Sequence, residues 1–156
     1  MTQDPPITRY SSLEPSPLGD IPKGWEVESF SDHLKAFRGL SDKGKGLCGE
    51  GDGLPMHNLN SIYKGGGYKH EGIKYYAGDH KDKHVLKAGD MIITNTEQGN
   101  QYRLIGYAAI VPKCFGDSGL FSQHIYRITP KKSSPLTRHF LYYLFNTYRW
   151  HKMIAG

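Results

Sequence analysis

The sequence predicts an α+β domain: a twisted, mostly antiparallel sheet with C-terminal helices packed at one side. Three observations carry this. Between residues 86 and 128, short apolar runs alternate with turn chemistry. Gly and Pro are frequent, at 19 and 9 of 156 residues. Beyond Pro130 the apolar spacing changes from strand-like to helical. A chain of this length can bury a real core as one domain.

Residues 1–20 are polar and punctuated by Pro5, Pro6, Pro15 and Pro17, and are expected to form an extended arm. A single domain is expected over residues 21–156, with Trp25 and Val27 packing inward near its start. Phe30, Leu34 and Phe37 have a short helical spacing, with Ser31 or Asp32 as a cap. Residues 38–53 read as a long Gly/Lys/Asp loop. Leu54 and Met56 suggest a short strand followed by a turn. Gly65-Gly66-Gly67 is a flexible tip, residues 68–76 a weakly alternating strand, and residues 80–84 a turn.

Lys87-Ala88-Gly89-Asp90 is turn chemistry, because Gly supplies positive φ and Asp can bond its own backbone. Met91-Ile92-Ile93 then reads as a buried strand that runs into Thr94-Asn95-Thr96-Glu97-Gln98-Gly99-Asn100-Gln101. A second apolar run, residues 105–111, closes at Pro112. A third, residues 120–128, holds Gln123 and His124 at its centre. After Pro130, Ser133 or Ser134 is placed as an N-cap with Pro135 in the first turn. Leu136, Phe140, Tyr143, Leu144 and Thr147 would share one helix face, and a second short helix extends to Ile154.

Strand ends carrying Thr, Asn, Gln and His donate and accept without net charge. That suits reading base edges and suits acid–base catalysis poorly. Thr94, Asn95, Gln98, Asn100 and, from the third run, Gln123 are therefore candidate base readers. The formal charge of +5 leans toward a polyanionic partner. Arg38, Ser41, Lys43 and Lys45 in the basic loop, with Lys64 and Lys69 near the glycine tip, are candidate phosphate contacts.

Other chemistries fare worse. Residues 39–45 come close to a phosphate-binding P-loop, but Gly46 replaces the required Ser/Thr and neither a buried strand nor a helix flanks the segment. Asp79, His80 and His84 invite a metal, yet Lys81, Lys83 and Lys87 crowd the same stretch and favour a solvated turn. His57-Asn58 and Gln123-His124 also admit a plainer role as core polar groups satisfied by backbone. The two cysteines, Cys48 and Cys114, form no zinc pattern and pair with no His motif. No apolar run approaches membrane-spanning length. A reduced, cytoplasmic setting without membrane contact is expected, with no catalytic, metal or cofactor site.

The order of these pieces resembles a target-recognition domain of the DNA-specificity subunit of type I restriction–modification enzymes. Leu18-Gly19-Asp20-Ile21-Pro22-Lys23-Gly24-Trp25-Glu26-Val27 is similar to the family's "LGxIPxxWE" opening, and Arg38-Gly39-Leu40-Ser41 to its "rGxS" turn. Residues 86–93 resemble "LKxGDIL", residues 105–111 "xxGxxAxV", and residues 121–128 "xNQHxxxI". The likeness spans residues 18–154. It implies recognition of one half of a split double-stranded DNA target, with no catalysis in the domain itself. Methylation and restriction subunits would supply the chemistry, including the methyl-donor and ATP sites. A complete specificity subunit has two such domains joined by long helices. A chain ending at Gly156, where a spacer helix would begin, is thus expected to be either an excised fragment or a half-subunit that works with a second domain or a second copy. Two alternatives from other classes are a small metal-dependent nuclease or hydrolase using His80, His84 and a carboxylate, and a protein-interaction module built on the 11 tyrosines.

Overall fold

Short strands joined by glycine-rich turns make up most of the molecule, in a computed structural model that describes residues 12–41, 44–97 and 104–155. The chain divides into two compact units, Met1–Asp32 and His33–Gly156.

In the first unit, β1 (Leu13–Glu14) pairs antiparallel with β2 (Ile21–Pro22). Gly24, at φ +85°, then turns the chain so that Trp25 N donates to Pro22 O at 3.0 Å. This turn ends β2, and no strand carries residues 25–29. Trp25 and Val27 are consequently 58% and 41% exposed, against the expectation that they pack inward. Helix α1 covers only Phe30–His33. The apolar spacing that suggested a longer helix continues into β3 (Leu34–Arg38), because five residues of it pair with β11 (Ile125–Pro130). Tertiary pairing overrides the local helical pattern.

The second unit contains two sheets. One is antiparallel throughout, in the order β3-β11-β8-β9, with β8 at Met91–Thr94 and β9 at Ala108–Ile110. The other runs β4-β6-β5-β10-β7, formed by Leu47–Cys48, Lys74–Tyr76, Leu54–His57, Ser118–Phe121 and Val85–Lys87. Its β5–β10 pair is parallel. The apolar run at residues 120–128 is therefore two strands in two sheets, not one strand. Ile125 N bonds Ser122 O at 3.2 Å and closes a turn that carries Gln123 and His124 out of β10 and into β11.

Glycine permits the crossing beside this turn. Leu40 N donates to Phe121 O at 2.7 Å, and Gln123 N to Leu40 O at 2.8 Å. A Cβ on Gly39 would overlap the carbonyl oxygens of Phe121 and Ser122. The main core joins Ile62, Leu86, Ile92, Tyr107, Ala109, Val111, Phe121 and Ile125. Arg127 is an internal fastener: its Nη1 donates to Val85 O at 2.7 Å, and its guanidinium lies 4.7 Å from the Phe37 ring centroid.

Two helices follow the sheets, α2 (Arg138–Phe145) and α3 (Tyr148–Ala155). The N-cap is Thr137, whose Oγ1 accepts from Phe140 N at 3.2 Å, rather than Ser133 or Ser134. Ser134 Oγ accepts from Leu136 N in a preceding turn. The buried face of α2 is Leu141 and Phe145, and Phe140 and Tyr143, two of the residues the spacing put on one shared face, point outward at 53% and 70% exposure. Asn146 closes the β9 edge like a strand residue, accepting from Ala108 N at 2.8 Å and donating to Ala108 O at 3.2 Å. His151 stacks on Tyr107 at 4.1 Å and donates from Nδ1 to Ile105 O at 2.8 Å, which fixes α3. Among the described residues, no helix is long and apolar enough to cross a membrane.

Candidate nucleic-acid interface

The parallel β5–β10 pair decides where polar groups collect. Met56 lies opposite Leu120 and His57 opposite Phe121, so both strands run out in the same direction. Their continuations, residues 58–60 and 122–124, emerge side by side, with Ser122 N donating to His57 O at 2.9 Å. Strand β8 leaves at the same corner, since Thr94 lies opposite Ile125 across the β8–β11 pair. Asn95 N then donates to His124 O at 3.1 Å, and Asn95 Nδ2 to Gln123 O at 3.0 Å. Thr96 Oγ1 and His124 Nδ1 share a hydrogen bond at 3.1 Å. Three separate segments thus present neutral donors and acceptors together.

Between them lies a cleft of about 320 Å³. Buried Met56 and Leu59 give it an apolar floor, while Asn60, Lys74, Thr96, Ser122 and His124 supply polar lining. Asn58 forms a fully bonded wall. Its Oδ1 accepts from Asn60 N at 2.9 Å, and its Nδ2 donates to Met56 O at 3.2 Å and Gly72 O at 2.7 Å. Glu97 also lines the cleft, and its Oε2 accepts from Leu104 N at 2.7 Å and Ile105 N at 3.2 Å. Two buried polar atoms at this corner have no hydrogen-bond partner among the described residues: Asn95 Oδ1 and Ser122 Oγ.

Behind the cleft, His57 is 1% exposed and bonds through Nδ1 to Tyr68 OH at 2.6 Å. Burial pushes the imidazole down to about 4 and the Tyr68 phenol up to about 12. Both are neutral near pH 7 and belong to the packing. His84 is also turned inward. Its Nδ1 accepts from Lys81 N at 3.3 Å, and burial, with help from Lys83, Lys81 and His80, lowers its pKa. Among the described residues, no group of three His, Cys, Asp or Glu side chains could hold a metal ion.

The candidate residues separate into groups. Asn95 and Gln123 are half-buried and meet at the corner. Arg38 and Ser41 are exposed on the segment whose Leu40 bonds Gln123, and Ser41 lines a second depression with exposed Lys45 and buried Tyr76. Lys64 is exposed on the glycine tip, which Gly67 N ties to Ala108 O at 2.9 Å. Half-buried Lys69 lies over the Tyr63 ring at 5.9 Å. Thr94 departs from the expected pattern. It is 1% exposed, and its hydroxyl donates to Leu104 O, so it fastens the chain behind the corner. Lys43, Gln98 and Asn100 lie outside the described residues. Asn60, Lys74, Thr96, Ser122 and His124 were not among the sequence candidates. Ser122 and His124 stood within the quoted "xNQHxxxI" motif and Thr96 follows β8, but Asn60 and Lys74 join them only through long-range pairing of β5 with β10 and β6.

The sequence model of the family described as "Type I restriction modification DNA specificity domain" matches residues 22–156. No curated protein matches the chain. Among solved structures, the fold is similar to the HsdS subunit from Thermoanaerobacter tengcongensis, with a TM-score of 0.58 and 20% identity over 90% of this chain and 31% of that one. It is also similar to a chain in a structure described as the "structural basis underlying complex assembly and conformational transition of the type I R-M system", with a TM-score of 0.51 and 18% identity over 91% of this chain and 35% of that one. The chain therefore spans about a third of the length of those solved chains.

Proposed function

The chain belongs to the type I restriction–modification DNA specificity domain family, and from that premise we propose that it recognises one half of a bipartite double-stranded DNA target and performs no chemistry itself. The observation that carries this is the corner at which three strand exits assemble neutral polar groups beside an exposed basic segment. In this reading Arg38, Ser41, Lys43, Lys45, Lys64 and Lys69 hold phosphates, which position the protein without reading sequence. Asn95, Gln98, Asn100 and Gln123 read base edges, and Thr94 fixes the backbone from which Asn95 projects. Methylation and restriction subunits act on the site so marked, in the cytoplasm.

A single module of this size buries roughly 600–1,000 Å² on DNA, which gives weak isolated binding. Strong binding then needs a second recognition domain, or a second copy, held at a fixed distance so that the second contact is effectively intramolecular. The test is a salt series on a long duplex. The affinity should fall linearly on a log–log plot, with a slope of about 0.9 per phosphate contact. Binding that ignores salt would replace this reading with the tyrosine-rich protein-interaction module.

A further inference from the structure

We propose that the cleft between residues 58–60, 95–97 and 122–124 accepts a single nucleobase unstacked from bound DNA. This rests on the duplex-recognition reading and adds a concave site to it. Base edges in a groove are read by side chains that project into the groove. A cavity of about 320 Å³ needs a group that projects from the DNA instead. Duplex DNA offers two: a backbone phosphate, or a base swung out of the stack.

The lining favours the base. Among the described residues Lys74 is the one Lys or Arg lining it, and the Glu97 carboxylate opposes an anion. Met56 and Leu59 suit the face of a heteroaromatic ring. The exposed His124 ring at the rim is a stacking surface, and Thr96 and Asn60 add neutral hydrogen-bonding groups. An independent observation points the same way. Ser122 lines this cleft, is 4% exposed, and its hydroxyl has no hydrogen-bond partner among the described residues. A buried hydroxyl left unmatched destabilises a fold, and such groups are uncommon in native proteins. A base edge in the cleft would satisfy it. Asn58 does not compete, because both ends of its amide are already bonded.

Single-stranded probes test this without the cost of opening a duplex. The affinity of the intact chain is measured for dodecamers of dA, dC and dT, for an abasic dodecamer with the same phosphates, and for deoxyadenosine monophosphate. At least one base-bearing oligomer should bind roughly tenfold tighter than the abasic one, the scale of one stacked base. Ser122→Ala and His124→Ala should each remove most of that difference and leave abasic binding unchanged. Ser122→Ala should also raise the Tm, because it deletes an unsatisfied group, whereas a serine that merely supports the fold would not couple higher stability to weaker base binding. Equal affinity for base-bearing and abasic oligomers, or a difference that survives both variants, overturns the proposal while leaving salt-dependent duplex binding intact. Monophosphate binding as tight as the oligomer's would assign the cleft to a free nucleotide and overturn the DNA-base assignment.

Discussion

Acidification should destabilise this domain through His57 in a manner that can be calculated from its environment. The ring is 1% exposed, its one hydrogen bond among the described residues is to Tyr68 OH, and burial holds its pKa near 4 against an ordinary 6.5. The folded state therefore binds a proton less readily than the unfolded chain, so stability rises with pH between these values and is lost as pH falls from 6.5 toward 4. With about 1.4 kcal/mol per pKa unit, the loss from this residue is roughly 1 kcal/mol at pH 5.5 and roughly 2–3 kcal/mol at pH 4.5. Urea unfolding of the wild-type chain and of His57→Gln at pH 7.5, 5.5 and 4.5 isolates the effect, because the other seven histidines are common to both. The stability gap between the two proteins should narrow by those amounts on acidification. Parallel pH profiles would refute the claim that His57 is buried and neutral.

Three further perturbations probe other parts of the account. Gly39→Ala places a methyl group against backbone carbonyls that cannot move independently, and should cost about 1–3 kcal/mol or more in chemical denaturation. A neutral result would contradict the crossing of residues 39–40 over residues 121–122. On α2, Leu141→Ala should cost about 2–5 kcal/mol, whereas Tyr143→Ala should stay within about 0.5 kcal/mol. The reverse order would mean the helix face is misassigned. Arg38→Ala with Lys45→Ala should weaken binding to all duplexes alike and reduce the log–log salt slope by about 0.9 per lost contact. An unchanged slope would remove this segment from the interface.

Local pattern carried much of the fold. Turn chemistry at residues 87–90 and the apolar Met91-Ile92-Ile93 run correspond to a turn and β8, and the spacing beyond Pro130 to two helices. Local pattern failed where distant pairing decided the outcome. Leu34 and Phe37 have helical spacing, but the β11 partner draws them into a strand. Residues 120–128 read as one run because nothing nearby reveals that Ser122 N bonds His57 O, 65 positions away. The same limit governed the site. Asn95 and Gln123 could be picked out as polar groups where apolar runs stop or break. Asn60 and Lys74 join them only through the parallel β5–β10 pair and the β5–β6 register. Thr94 looked equally available in sequence, yet its position at the last β8 ladder pair turns its hydroxyl inward.

The central claim, that the corner holding Asn95 and Gln123 reads sequence, is tested most directly by selection from a random duplex library with the intact chain, repeated for Asn95→Ala and Gln123→Ala. The wild type should enrich one short motif, the length of a half-site. Each variant should relax the preference at particular positions, by about 1–3 kcal/mol for a lost bidentate base contact. No enriched motif, or a motif that both variants reproduce unchanged, would contradict the account.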